Sequence, residues 1–446
     1  MRPEFPKVCV IGLGYIGLPT AALIAGRGLD VTGVDINPAI VETVNEGRIH
    51  IVETDLDEEV RKAVCSGRLK ASNKPDAADV FIIAVPTPLS PEKQPVVDYV
   101  FAAAHALAPH LKSGDLVILE STSPVGTTEA VAALLGGHRP DLRFPAAGGR
   151  SGEPDINIAY CPERVLPGRI LKELVENDRC IGGVSTGCAA RARRFYELFV
   201  RGVCIETSAR TAEMVKLTEN AFRDVNIAFA NELSMVCDRL DINVWELIEL
   251  ANLHPRVQIL KPGPGVGGHC IAVDPWFVVD SAPLEAQLIR TAREVNDRKA
   301  QYVLDEVRAL IAQHPERPVC CLGLAFKADV DDLRESPALE IAERLAEEFG
   351  GRIGVVEPYA DALPGTLTGL GVRPQQLDEV LASEAILILL VDHEPFRNVG
   401  AARLAGKIVY DTRGIWNAAA QRATGTQKHS GKRSLATGGR TGWPLQ

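Results

Sequence analysis

Hydrophobic residues in the first part of the chain fall into short runs that are separated by helical patterns. Residues 7–11, 29–34, 80–85 and 116–120 are rich in β-branched or aliphatic residues and predict buried strands. Residues 19–27 predict a helix after the first strand, and residues 157–161 and 179–183 predict two further strands. The Pro/Gly-rich residues 139–154 predict an exposed loop. This alternation indicates a parallel α/β sheet.

The middle of the chain has a different pattern. Residues 211–240 have a long helical pattern without Pro or Gly, and residues 244–252 and 284–313 are also helical. The glycine-rich residues 261–269 (KPGPGVGGH) interrupt these helices. The pattern therefore predicts a central helical domain that contains a rigid loop.

A second alternating region follows. Residues 318–324, 352–356, 385–391 and 407–410 predict strands, and residues 336–349 predict a helix. The predicted fold is α/β, with two Rossmann-like parallel-sheet domains joined by a central α-helical domain. The predicted domains are residues 1–208, residues 209–314 with the glycine-rich loop, and residues 315–423. The Gly-, Thr- and Lys/Arg-rich residues 424–446 predict a disordered tail.

Composition narrows the class of protein. The 446 residues carry a formal charge of -10, which argues against nucleic acid as the main partner. The ten cysteines lack the paired spacing of a zinc site, so no metal is expected, and the adjacent Cys320 and Cys321 are expected to pack in a core. No apolar run approaches the ~20 residues that span a bilayer, and no signal peptide is evident. We therefore expect a cytoplasmic protein with reduced thiols and no membrane partner.

A glycine pattern between the first strand and helix indicates a dinucleotide site. Gly12, Gly14 and Gly17 form GxGxxG, which lets backbone approach a pyrophosphate at a helix N-terminus. Asp35 ends the next strand, where a carboxylate binds ribose hydroxyls and repels a 2′-phosphate, so NAD is favoured over NADP. The alternative is a structural turn in an α/β protein that binds something else. Tyr15 and Ile16 belong to the same predicted loop.

Two further segments follow predicted strands. Thr87 lies in VPTP and Thr122 in ESTSP. Because ligands bind at the carboxyl ends of parallel strands, both threonines are candidate cofactor contacts, although Ser/Thr-Pro after a strand is often only a turn.

The long helix carries a candidate polar face. Lys216 and Asn220 are four residues apart and share one face, and Asn231 falls near it. A solvated face is one interpretation. The other is a cation and an amide that stabilise an alkoxide or a tetrahedral oxyanion.

The candidate nucleophile follows the glycine-rich loop. Cys270 attacks an aldehyde well if its thiolate is accessible, and Asp274 is placed to orient a water molecule or the Lys216 network. A free cysteine is more often a small buried hydrophobe. The loop before Cys270 and the polar helix face favour the catalytic interpretation.

The motifs together resemble the UDP-glucose/GDP-mannose dehydrogenase family over residues 7 to 420. They are GLGYIGLP, ESTSPVGTT, CPERVLPG, KLTENAFRDVNIAFANE, GPGVGGHC and GLAFKADVDDLRESPA. Residues 252–277 look most like the corresponding segment of enzymes that oxidise UDP-N-acetyl-D-mannosamine. Pro167, His269 and His254-Pro255 replace residues usual in UDP-glucose enzymes, which favours an N-acetylated sugar.

The resemblance implies roles for individual residues. It makes Cys270 the nucleophile and assigns acid/base and water-positioning roles to Lys216, Asn220, Asp274 and Glu163. It places Lys327 and Arg334 near the cofactor and the domain interface. The substrate-binding residues that it implies are Arg164, Val165, Lys216, Asn220, Arg256, Lys261, Gly267 and His269.

The reaction that the resemblance implies is a four-electron oxidation of a sugar C6 alcohol to the uronic acid, through a thiohemiacetal and a thioester on Cys270. The residue that matches Arg256 often reaches a neighbouring subunit in this family, which implies a homodimer or a larger homo-oligomer. The resemblance thus implies that residues 209–314 hold both the catalytic loop and the dimer interface. UDP-N-acetylglucosamine, UDP-glucose and GDP-mannose remain alternative substrates. A two-electron hydroxyacid dehydrogenase and an inactive dinucleotide-binding protein remain alternative functions.

Overall fold

The chain divides into two compact units, Met1–Lys299 and Ala300–Gln446. The structure is a computed structural model and describes residues 4–51, 53–146, 154–166, 168–268 and 270–416. The predicted tail and residues 147–153 of the predicted loop lie outside the described residues.

The described part of the first unit contains an eight-stranded sheet in the order β3-β2-β1-β4-β5-β6-β7-β8. The strands predicted from hydrophobic runs are confirmed to within two residues at each end. The strands are β1 Lys7–Ile11, β2 Asp30–Val34, β3 Leu69–Ser72, β4 Val80–Ile83, β5 Leu116–Leu119, β6 Asn157–Tyr160, β7 Arg179–Gly183 and β8 Cys204–Ser208.

Side chains of the central strands alternate between two cores. In β1, Val8 and Val10 pack in one apolar cluster, whereas Cys9 and Ile11 pack in the other. Both faces of the sheet are therefore buried, which explains why these strands appear in the sequence as continuous apolar runs.

The last two strands of this sheet depart from the parallel arrangement. β7 pairs with β6 antiparallel, with Ala159 opposite Gly183 and Tyr160 opposite Gly182, and β8 runs parallel to β7. Continuing this register beyond the ladder places Glu163 opposite Arg179. The direction of β7 thus decides which charged residues meet at the carboxyl end of β6.

Helices cover the sheet and form the central region. The long predicted helix is confirmed as α8, where the Ser208 side chain accepts a hydrogen bond from the Thr211 amide at the helix start. The helices of this part are α1 Gly17–Gly26, α2 Pro38–Asn45, α3 Leu56–Cys65, α4 Asp98–Leu107, α5 Thr127–His138, α6 Ile170–Glu176, α7 Thr186–Tyr196, α8 Ala209–Leu240, α9 Val244–Ala251, α10 Asp274–Ser281 and α11 Gln287–Gln313.

The second unit contains a five-stranded parallel sheet among its described residues, in the order β11-β10-β9-β12-β13. Cys320 and Cys321 are fully buried in β9, as predicted. The elements are β9 Val319–Leu322, α12 Pro337–Phe349, β10 Ile353–Val356, α13 Gly365–Gly369, β11 Arg373–Pro374, α14 Leu377–Ala382, β12 Ile386–Leu389, α15 Glu394–Arg397, α16 Ala401–Leu404 and β13 Val409–Asp411. The second Rossmann-like sheet is thus confirmed.

Within the described ranges, no helix is both long enough and apolar enough to cross a membrane.

Candidate active site

The three glycines between β1 and α1 have distinct steric roles. Gly12 has a φ of +95°, and a Cβ there would lie 2.4 Å from the Ala84 carbonyl oxygen. A Cβ on Gly17 would lie 1.8 Å from the Gly12 carbonyl oxygen, so this glycine lets α1 pack against the turn. A Cβ on Gly14 would meet nothing within 4 Å. The open side at Gly14 fits the approach of a pyrophosphate, which supports NAD binding here.

Asp35 lies where the sequence predicts it, directly after β2. One carboxylate oxygen accepts a hydrogen bond from the Leu13 amide at 3.1 Å, and the other accepts from the Asn37 amide at 2.9 Å. These bonds place the acid beside the glycine loop, and each oxygen keeps a second lone pair for a ribose hydroxyl.

The Thr87 and Thr122 segments are joined at the carboxyl ends of β4 and β5. The Ser121 hydroxyl donates to the Val85 carbonyl oxygen at 2.7 Å, and both threonines are half-buried. Tyr15 is exposed and Ile16 is half-buried at the start of α1. All these candidates lie in the first unit. Their contacts with the cofactor remain predictions.

The structure brings Asn220 of α8 to Asp274 at the start of α10. The Asn220 amide nitrogen donates to an Asp274 carboxylate oxygen at 2.5 Å. Asp274 is 2% exposed and Lys216, one turn earlier on α8, is 9% exposed. Lys216 is therefore buried and Asn220 half-buried, and the solvated-face interpretation is wrong for Lys216.

Cys270 lies in the turn that enters α10. Its carbonyl oxygen accepts from the Asp274 amide at 2.8 Å and from the Val273 amide at 3.1 Å. Cys270 is an exposed residue, whereas Cys161, Cys320 and most other cysteines are buried. A cysteine next to a buried carboxylate and a lysine is an arrangement suited to nucleophilic catalysis.

Burial and charge set the ionisation of this group of residues. Burial raises the pKa of Asp274 to about 6, against the opposing effects of Lys216 and the Asn220 hydrogen bond. The pKa of Cys270 is also raised, because the surrounding protein reduces hydration of the thiolate and Asp274 repels it, while Lys216 lowers it.

Glu163 binds a residue that the sequence analysis missed. It is 7% exposed and forms an ion pair with Arg179, which is 3% exposed and also donates to the Leu174 carbonyl oxygen at 2.8 Å. A charged residue at the start of a predicted buried strand was the available signal for Arg179. The ion pair fixes the Glu163 carboxylate to Arg179, and the approach of Glu163 to Cys270 remains a prediction.

The predicted substrate-binding residues lie in three places. Arg164 donates to Glu219 of α8 at 2.8 Å, and Val165 beside it is half-buried. Arg256 and Lys261 are exposed in the loop after α9, and Gly267 is half-buried nearer to Cys270.

Some candidates cannot be placed beside this site. His269 and Pro167 lie outside the described residues. Lys327 and Arg334 lie in the second unit, where Arg334 binds Asp332 of the same loop at 2.7 Å. Their roles toward the cofactor remain predictions. Among the described residues, no group of three or more His, Cys, Asp or Glu could hold a metal ion.

Comparison with known proteins extends over almost the whole chain. Three models of the UDP-glucose/GDP-mannose dehydrogenase family match: the NAD binding domain over residues 6–200, the central domain over residues 210–298 and the UDP binding domain over residues 320–418.

Curated relatives and solved structures agree with that match. An NDP-N-acetyl-D-galactosaminuronic acid dehydrogenase from Ralstonia nicotianae is 59% identical over 415 residues, 93% of this chain and 97% of the relative. A UDP-N-acetyl-D-mannosamine dehydrogenase from Escherichia coli is 56% identical over 421 residues, 93% of this chain and 100% of the relative. A structure of a UDP-N-acetyl-mannosamine dehydrogenase from S. aureus has a TM-score of 0.80 at 42% identity and covers 92% of this chain and 95% of that chain.

Proposed function

Because the chain belongs to the UDP-glucose/GDP-mannose dehydrogenase family and is an NAD-dependent nucleotide-sugar dehydrogenase, we propose that it oxidises the C6 alcohol of an N-acetylated UDP-sugar to the uronic acid through a thioester on Cys270. The observation that carries this proposal is the group formed by exposed Cys270, buried Asp274 and its partner Asn220, with Lys216 one turn away.

When bound, NAD would take up one hydride from the sugar carbon in each of the two oxidation steps, so two NAD molecules would be consumed per sugar. Cys270 supplies the covalent step between them. Its sulfur attacks the aldehyde carbon, and the carbonyl oxygen takes a proton to give a thiohemiacetal. This capture makes the carbon tetrahedral again, so that it can release a second hydride, and it keeps the aldehyde from escaping. Loss of that hydride and of the hydroxyl proton leaves a thioester.

Lys216 and Asn220 are proposed to stabilise the negative charge that develops on the sugar oxygen. Both side chains extend from α8 toward the turn that holds Cys270 and Asp274. A buried cation and an amide act strongly there because little water competes with them.

Asp274 and Glu163 are proposed to assist hydrolysis of the thioester. Water adds to the thioester carbon, the carbon–sulfur bond breaks, and Cys270 leaves as a thiolate that is then reprotonated. A carboxyl group with a pKa of about 6 suits Asp274 to accept and return a proton near neutral pH.

The sugar is proposed to be UDP-N-acetyl-D-mannosamine. The relatives from E. coli and S. aureus are named for that sugar, whereas the R. nicotianae relative is named for an N-acetylgalactosaminuronic acid. All three names contain an N-acetylated hexosamine, which supports that class over glucose or unmodified mannose. N-acetylgalactosamine is the alternative that the comparison adds.

The functional test is a panel of nucleotide sugars with NADH formation measured per sugar consumed. The panel contains the UDP derivatives of N-acetylmannosamine, N-acetylgalactosamine, N-acetylglucosamine and glucose, together with GDP-mannose. We expect the highest kcat/KM with UDP-N-acetylmannosamine and two NADH per sugar. One NADH per sugar would indicate a two-electron dehydrogenase, and no turnover on any sugar would contradict the proposal.

A homodimer formed through α8 is proposed as the working assembly. Phe222, Phe229 and Val236 are seven residues apart, lie along one stripe of α8 and are 68%, 55% and 45% exposed. An apolar stripe of this kind on a long helix is typical of a helix–helix interface.

A further inference from the structure

The first part of the loop before Cys270 has few backbone hydrogen-bond donors. In the run Lys261-Pro262-Gly263-Pro264-Gly265 the two prolines lack an N–H, so Gly263 carries the single amide donor between Lys261 and Gly265. Pro262, Gly263 and Pro264 are buried. A buried amide of this kind needs a partner, since burial without a hydrogen bond costs it the bonds that it makes to water.

Asn231 supplies that partner from the middle of α8. Its side-chain oxygen accepts the Gly263 amide hydrogen at 2.9 Å, and the Asn231 side chain is fully buried. Asn231 lies on the same helix as Lys216 and Asn220, which belong to the proposed reaction centre.

The orientation of Asn231 is fixed by a chain of hydrogen bonds. The Asn231 amide nitrogen donates to the Asn296 side-chain oxygen at 2.8 Å, and the Asn296 nitrogen donates to an Asp224 carboxylate oxygen at 2.8 Å. Arg293 donates to the same carboxylate oxygen at 2.6 Å. The backbone donor at one end and the carboxylate at the other allow a single orientation of both amides.

The segment that carries Cys270 is thus attached to α8 at two points. Gly263 binds Asn231, and Asp274 binds Asn220 eleven residues earlier on the helix. Eleven helical residues span about 16 Å, so the segment from Gly263 to Asp274 runs along α8 with Cys270 near its Asn220 end.

We propose that Asn231 is a positioning residue, which holds the loop so that Cys270 is presented to the sugar carbon, and that Asn296, Asp224 and Arg293 hold Asn231 in turn. The consequence for catalysis rests on the proposed function. The hydrogen bond between Asn231 and Gly263 does not depend on the proposed function, and hydrogen exchange at Gly263 measures it separately.

The test uses three variants of the full-length protein. Asn231→Leu removes the acceptor for Gly263, whereas Asn231→Asp keeps an oxygen in its place. Asn226→Leu is the matched control, because Asn226 lies on the same helix and donates to the Phe222 carbonyl oxygen at 2.6 Å instead. Hydrogen exchange is followed at the Gly263 amide, and kcat and the KM for NAD are measured well below the melting temperature of each variant.

In Asn231→Leu we expect exchange at Gly263 at least about tenfold faster than in the wild type. We expect kcat to fall by about 10²-fold, because a small misplacement of a reacting group is costly, while the KM for NAD stays unchanged. Asn231→Asp should keep slow exchange and most of kcat even where its melting temperature drops. The control should match the wild type in exchange and in kcat.

Wild-type exchange in Asn231→Leu would overturn the attachment. If the loss of kcat in each Asn231 variant is proportional to the drop in its melting temperature, the effect is one of stability, and the positioning role is overturned. If Asn231→Leu does not fold, the proposal is tested by hydrogen exchange and kcat in Asn231→Asp. Fast exchange at Gly263 in that variant, or a fall in its kcat of about 10²-fold, would overturn the proposal. A wild-type protein that oxidises no nucleotide sugar would contradict the proposed function and leave the exchange result to stand by itself.

Discussion

At the scale of single residues, three ionisable groups of the candidate site, Lys216, Asp274 and Cys270, affect one another's ionisation. Lys216 favours the anionic forms of both Asp274 and Cys270, and these two groups repel each other as anions. Both pKa values are raised, so the protein at rest disfavours having both groups ionised. Ionisation of one therefore makes the other a weaker acid, which links thiolate formation to proton uptake by Asp274.

The raised pKa of Asp274 predicts a pH-dependent cost in stability. Its pKa is about 6 in the folded protein against an ordinary value of 3.8, so the folded state binds the proton more tightly. As pH rises from 4 to above 6, ionisation destabilises the fold by up to about 3 kcal/mol. Asp274→Asn removes this cost, so its unfolding free energy relative to the wild type should increase over that pH range and then level off.

Urea unfolding at several pH values measures this difference. Asp280→Asn is the control, because Asp280 lies exposed in the same helix. A stability difference between Asp274→Asn and the wild type that does not change with pH would show that the carboxyl group is not protonated in the way described.

At the scale of secondary-structure elements, the ends of β1 and β2 determine the cofactor site. β2 delivers Asp35 to the Leu13 amide, and the glycines leave the start of α1 open. The predicted preference for NAD over NADP thus depends on where β2 ends.

Asp35→Ala is expected to raise the KM for NAD and to relax selectivity toward NADP, because the carboxylate that repels a 2′-phosphate is gone. Asp30→Ala is the matched control at the opposite end of β2, where Asp30 is exposed and binds Arg68. Steady-state kinetics with both cofactors measure the effect. Unchanged selectivity in Asp35→Ala would mean that this acid does not contact the ribose.

Elements with a hydrophobic period could be predicted from the sequence, and those without one could not. β1 and α8 have clear patterns, whereas the edge strand β8 (CIETS) is mostly exposed and lacks an apolar face. α10 is short, and its first residues were interpreted only as part of a motif. The antiparallel direction of β7 is not a local property, so the Glu163–Arg179 pair was missed.

The site was predictable where local spacing determines it. Lys216 and Asn220 share a face because they are four residues apart on a helix. The contact between Asn220 and Asp274 joins residues 54 positions apart and depends on tertiary packing. Asn231 was recognised as lying near the polar face, but its partner Gly263 could not be identified without the structure.

At the scale of the whole molecule, both units have a glycine after one strand and an acidic residue after the neighbouring strand, but the two acids have different partners. Gly12 and Gly323 each donate to the strand alongside, at 2.8 and 2.9 Å. Asp35 and Glu357 each accept from the amide after that glycine, at 3.1 and 2.6 Å. Glu357, however, also contacts buried His393 at 3.2 Å, so it is not open to a ribose. This difference supports assigning the dinucleotide to the first unit.

The proposed dimer makes a prediction at the same scale. Phe229→Glu places a charge in the exposed stripe of α8 and should convert the assembly to monomers, with loss of activity if a neighbouring Arg256 completes the site. Tyr99→Glu is the control, since Tyr99 is 50% exposed on α4. Light scattering after gel filtration measures the mass, and an unchanged oligomer in Phe229→Glu would exclude this interface.

The covalent step on Cys270 is tested most directly by the uronic acid released by Cys270→Ser, with Cys65→Ser as the control at the other exposed cysteine. With UDP-N-acetylmannosamine and NAD, we expect Cys270→Ser to stall before acid release, at least about 10²-fold below the wild type, because serine is the weaker nucleophile. Cys65→Ser should release acid at the wild-type rate. Release of uronic acid by Cys270→Ser at the wild-type rate would contradict the thioester mechanism.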